Sequence, residues 1–99
     1  MIQKSISTGA QTGDVTIHNV TTGDKNRVFD YTLFVSAAGT VIVKDEAGTE
    51  FGRYTVAGAD KVVVDGLGGE ARFVARGDLI LNLSTTMTVT GHFTYASQV

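Results

Sequence analysis

From Leu79 to Ala96 the chain reads LILNLSTTMTVTGHFTYA, and its alternation leaves few folds open. Ser84-Thr85-Thr86 separates two apolar runs. In the second run Met87, Val89, Gly91, Phe93 and Tyr95 share one phase, and Thr88, Thr90, His92 and Thr94 share the other. Successive side chains of a strand point to opposite faces, so the first phase is a core face and the second a solvent face. The same period of two recurs upstream. DVTIHNV (14–20) sets Val15 and Ile17 against Thr16 and His18, and NRVFDYTLFVSA (26–37) groups Phe29, Tyr31, Leu33 and Val35. TVIVKD (40–45) and TEFGRYTV (49–56) flank EAG, where glycine supplies a positive φ, and read as a hairpin. KVVVDG (61–66), ARFVAR (71–76) and DLILNLS (78–84) complete the set.

No segment shows a helical period of 3.6, so eight strands are expected. Regular short strands with Gly-rich turns argue for a sandwich or barrel. The expected fold is all-β, an eight-stranded antiparallel jelly-roll-like β-sandwich; an immunoglobulin-like sandwich of seven strands is the alternative. The strands at 26–37, 49–56, 61–66 and 78–84 are expected in one sheet. Those at 14–20, 40–45, 71–76 and 87–96 are expected in the other. Residues 14–99 form one domain, and residues 1–13, with STGAQTG, read as an N-terminal arm or a weak edge strand.

Composition excludes several classes. The net charge is −2 and no basic run exists, so neither nucleic acid nor a membrane surface is an expected partner. Cysteine is absent, which removes disulfides and thiolate metal sites. MIQKSISTGA has no apolar core of a signal peptide, so none is expected. No apolar run approaches the ~20 residues of a spanning helix.

The run VFDYTLFVSAAGTVIVKDEAGTEFGRYTV, followed by GGEARFVARGDLILNLSTTMTVTGHFTYASQV, resembles a group of small tailed-phage virion proteins. Their closing pattern, A.GE.L.LNLS....V.GH.TY..V, is matched by Ala75, Gly77, Leu79, Leu81, Asn82, Leu83, Ser84, Val89, Gly91, His92, Thr94, Tyr95 and Val99. Asp78 stands where many of the group carry Glu. The resemblance covers roughly residues 20–99. It implies a capsid decoration or cement protein, with Asn82-Leu83-Ser84 as a structural turn, and carries little chemistry.

The candidates for chemistry are few. His18 and His92 are expected to face outward on neighbouring strands, among threonine hydroxyls that make poor metal ligands. A metal-binding cupin needs His-x-His with Glu and a later His, which this chain lacks. Asp45 and Glu46 sit at a hairpin mouth, a usual place for solvated charge. No serine lies in a G-x-S-x-G context. GLGGE (66–70) has no helix after it to bind phosphate and reads as a turn, and RGD (76–78) reads as a tight corner between strands. No catalytic residue, cofactor or metal is expected.

Surface remains. The outer face of the sheet carrying 14–20 and 87–96 is expected to show Thr16, His18, Lys44, Arg72, Arg76, Thr88, Thr90, His92 and Thr94. Phe34, Val63 and Ile80 lie out of phase with the core of their own strands, on three strands of the other expected sheet. An exposed apolar cluster marks a contact surface, so these three are the expected oligomer or capsid interface. The expected function is a virion structural protein on the capsid exterior, assembled in the bacterial host cytoplasm. It would self-associate as a trimer and bind the major capsid protein to reinforce it. A carbohydrate- or receptor-binding module of a fibre is the alternative. The absence of Trp and the core phase of the tyrosines weigh against it.

Overall fold

The structure, a computed structural model, describes residues 2–19, 24–65 and 70–98. Nine strands follow in order: β1 (Ile2–Ser7), β2 (Gln11–His18), β3 (Lys25–Val35), β4 (Gly39–Asp45), β5 (Glu50–Val56), β6 (Asp60–Val64), β7 (Phe73–Arg76), β8 (Leu79–Met87) and β9 (Val89–Gln98). They form two antiparallel sheets. The first has the order β1-β9-β3-β6, with β7 also on β3, and the second has the order β2-β8-β4-β5.

Alternation is what closes the sandwich. Tyr31, Leu33 and Val35 of β3, with Val89 and Phe93 of β9, turn inward from the first sheet. Val41 and Val43 of β4 and Leu79, Leu81 and Leu83 of β8 meet them from the second. Burial at about 25 cal/mol per Å² of apolar surface makes this shared layer the main stabilising element. An internal gap lined by Leu33, Val43, Leu81 and Phe93 measures only about 10 Å³. Gly91 allows the close approach of β9 to β3. Its φ is +140°, and a Cβ there would meet the Thr32 carbonyl oxygen at 2.0 Å.

Three expectations change. The strand count among the described residues is nine, because β1 adds to the eight expected strands; β6 and β7 both pair with β3, one against Tyr31–Val35 and the other against Lys25–Val28. The expected division of strands between sheets fails: β3 and β6 share one sheet, while β5 and β8 lie in the other. The chain crosses between sheets at most connections, whereas the β4–β5 hairpin keeps both strands together, with Gly48 at φ +90°. Of the two readings of residues 1–13, an arm or an edge strand, Ile2–Ser7 takes the second: β1 is an edge of the first sheet. β1 pairs with β9 from Ile2↔Tyr95 to Ser7↔Thr90, and Ile6 is buried beneath the sheet. Asn82, Leu83 and Ser84 belong to β8 rather than to a turn, and the crossing to the first sheet falls at Thr88.

Three bulges also shift phase, each because one extra residue reverses the alternation after it. The register slips between Val28 and Asp30, so Val28 enters the core. Phe29 is buried outside the main cluster, with the Arg27 guanidinium 5.7 Å from its ring centre. A slip between Thr16 and His18 turns His18 inward, where an exposed histidine was expected. A slip between Val43 and Lys44 leaves Phe51 unpaired in β5.

Candidate functional site

The outer face of the first sheet carries two of the three expected contact residues. Phe34 is 48% exposed and Val63 is 50% exposed. The register Thr32↔Val63 and Phe34↔Lys61 makes them diagonal neighbours on β3 and β6, within reach of each other's side chains. Thr90 lies opposite Phe34 on β9. Ile80 is not on this face. It lies on β8 in the second sheet, half-buried, with Thr16 on one side and Lys44 on the other.

The flank where β5 of the second sheet approaches β6 and β7 of the first is a groove of about 430 Å³. Tyr31, Glu50, Phe51, Tyr54, Val64, Arg72 and Phe73 line it. The bulge in β5 aims Phe51 at Phe73, and the rings stack with centres 4.1 Å apart and planes 9° from parallel. Tyr31 meets Phe73 edge-on at 6.3 Å. The Tyr31 and Tyr54 hydroxyls hydrogen-bond to each other. Burial, then the Tyr54 hydroxyl, pushes the Tyr31 phenol far above its ordinary range, so it stays protonated. Gly52 leaves room for this pair, since a Cβ there would meet the Tyr54 hydroxyl at 2.5 Å. At the rim Arg53 donates to both Glu50 oxygens, at 2.7 and 3.1 Å.

The opposite flank, where β1 faces β2, is polar within. The Lys4 ammonium donates to His18 Nδ1 at 3.1 Å, which puts the ring proton on Nε2. The His18 ring lies 4.4 Å from Tyr95 and 5.6 Å from Phe93. Burial, then the Lys4 charge, lowers the His18 pKa, against opposing help from Asn26 and Asp78. Asn26 is fully buried, and neither side-chain polar atom has a partner of hydrogen-bonding geometry among the described residues. Lys4 also points a charge inward from an edge strand, a device that discourages edge-to-edge pairing.

Asp45, expected as solvated charge, is 2% exposed. Its carboxylate accepts from the Thr49 and Arg76 amides, at 2.9 and 3.0 Å, and so ties the β4–β5 hairpin to β7. Beside it lies a cleft of about 350 Å³ lined by Asp24, Lys25, Glu46, Ala47, Arg76 and Gly77. RGD is the expected corner, with Gly77 at φ +76°. GLGG lies outside the described residues. The histidines are not brought together: His18 pairs with Leu79 in the second sheet, and His92 with Thr32 in the first. Sequence reasoning missed the groove, although the opposed phases of Phe51 and Tyr54 in one strand already signalled an irregularity. No family model, curated protein or solved structure matches the chain.

Proposed function

We propose that this chain is a virion structural protein of a tailed phage, a decoration or cement module that self-associates as a trimer and binds the major capsid protein on the capsid exterior. The observation carrying the contact reading is the exposed Phe34–Val63 pair on the first sheet. Two large apolar side chains side by side on a strand surface are better used against another protein than against water. The virion assignment rests on the resemblance of residues 20–99. The residues that carry it build β7, the Gly77 corner, β8 and β9. β8 and β9 are interior strands of the two sheets, so the shared pattern is architectural.

The finer fold reading is a jelly roll. It is supported by nested antiparallel pairs: β1 with β9, β2 with β8, β3 with β6, and β4 with β5. A long antiparallel ribbon rolled into two sheets pairs its strands in this way. β6 and β7 then count as two parts of one strand position beside β3, which brings nine segments to eight positions. In this role the sandwich works mechanically. A rigid shared core holds a flat contact face, and binding adds contact area between capsomers.

The test is co-sedimentation with heads purified from a phage of the strain that encodes the chain. The parent protein should pellet with the heads, and Phe34→Ser should bind at least about tenfold more weakly, equal to ~1.4 kcal/mol. Equal binding by the variant would remove Phe34 from the contact. A parent protein that never pellets would remove the capsid reading.

A further inference from the structure

The aromatic groove has the makings of a ligand site that the capsid reading does not use. Its volume, about 430 Å³, falls in the usual range for small-molecule pockets, about 300–1,000 Å³. Phe51, Tyr54 and Phe73 are half-buried in its walls and Tyr31 is buried behind them, so a ligand with an apolar face would gain from contact there. Phe51 and Phe73 stack on each other and are only partly buried, and both line the groove. Its polar groups are two phenol tips and charged rim residues. In a mutual hydroxyl pair only one proton is used between the partners, so the Tyr31–Tyr54 pair keeps a donor and acceptor capacity for a third oxygen.

Charge narrows the ligand further. Glu50 is neutralised by the two-pronged bond from Arg53. Arg72 donates Nε to the Asp65 carbonyl at 2.7 Å. Its terminal N–H groups have no acceptor among the described residues. A planar fork with free donors at the mouth of an aromatic groove matches a carboxylate. A ligand with an apolar face, several hydroxyls and one carboxylate satisfies all three features together.

We propose that the groove between β5 and β6–β7 binds a sugar ring that carries a carboxylate, with the exposed parts of the Phe51–Phe73 stack against its apolar face, the tyrosine hydroxyls on its hydroxyls and Arg72 on its carboxylate. The site stands apart from the Phe34–Val63 face, so sugar binding and capsid attachment succeed or fail independently.

The experiment is amide chemical-shift titration of the whole chain with matched disaccharides. Each pair consists of a uronic-acid form and its neutral counterpart, in the gluco, galacto and manno series. At least one uronic-acid form should shift residues 50–54, 64 and 72–73 and bind about tenfold or more tightly than its neutral partner. Arg72→Gln should erase that preference, and Arg72→Lys, which keeps charge but loses the fork, should fall between. Tyr54→Phe should weaken acid and neutral forms alike, and Phe34→Ser should leave both unchanged. The proposal is overturned if no pair shifts the groove up to about 10 mM, a weaker limit than any useful site. It is also overturned if acid and neutral forms bind alike, or if Arg72→Gln keeps the preference while its spectrum stays that of the folded parent.

Discussion

The two flanks of the sandwich are closed in opposite ways. On the β1–β2 side a lysine and a histidine meet inside, beside the buried Asn26 amide. On the β5–β6 side four aromatic rings meet, and the two tyrosine hydroxyls hydrogen-bond to each other. Both closures depend on a bulge that sets the direction of one side chain, His18 on one flank and Phe51 on the other. The difference is in what each closure responds to. The aromatic flank is held by area and stacking, which do not change with pH near neutrality. The polar flank is held by a neutral imidazole next to an ammonium, which acid disrupts.

The largest effect should come from the aromatic flank. Phe73→Ala removes the Phe51 stack and the Tyr31 edge contact. Full burial would put the cost at about 3–5 kcal/mol, and a half-buried ring should lie near or below the lower end. Urea unfolding should show this loss equally at neutral and mildly acidic pH. A loss that grows in acid would mean the flanks are not separate.

The polar flank should give a smaller, pH-dependent effect. The folded state lowers the His18 pKa below 6.5 through burial and then Lys4. The unfolded chain therefore takes up a proton first as pH falls. Stability from this flank is full above about 6.5 and is lost progressively as pH falls toward the folded value. His18→Gln should remove that part of the pH slope, and Lys4→Gln should reduce it by removing the nearby charge. Amide protection in residues 2–7 should drop with acid before protection in β8 does. An unchanged slope in His18→Gln would assign the acid response elsewhere.

The smallest effect belongs to the outer side of the β2 edge. Asp14 accepts from Asn82 at 2.7 Å and from Lys44 at 3.0 Å, and is largely exposed. Asp14→Asn should change stability by no more than about 1 kcal/mol, as exposed ion pairs do. A larger loss would show that β2 is held from outside rather than by His18 and the core.

How far these features can be read from the sequence depends on the alternation. Tyr31, Leu33, Val35, Leu79, Leu81 and Leu83 fall in the core because no bulge interrupts their runs. His18 departs from expectation because it lies at a register slip, and the slip in β5 settles the phase of Phe51, which alternation left open; a slip reflects a partner strand rather than local composition. Sheet membership was hidden for a related reason. β1 meets β9 from opposite ends of the chain, and hydrophobic period carries no record of which distant strand is the neighbour. Phe34 and Val63 were legible as wrong-phase residues; Ile80 was equally out of phase, but its sheet was not legible. The aromatic groove needed both slip and topology, and so became visible only in three dimensions.

The central claim is that the Phe34–Val63 face joins protein to protein. Light scattering of the eluting peak in size-exclusion chromatography tests it most directly, on the parent chain and on Phe34→Ser, with Leu81→Ser as the core control. The parent should elute with the mass of a trimer. Phe34→Ser should elute as a folded monomer with an unchanged β-type circular dichroism spectrum, since an exposed substitution changes stability by only about 0.5 kcal/mol. Leu81→Ser should unfold, because Leu81 is 1% exposed at the centre of the core. A parent that stays monomeric, or a Phe34→Ser variant with the same mass as a trimeric parent, would contradict the account.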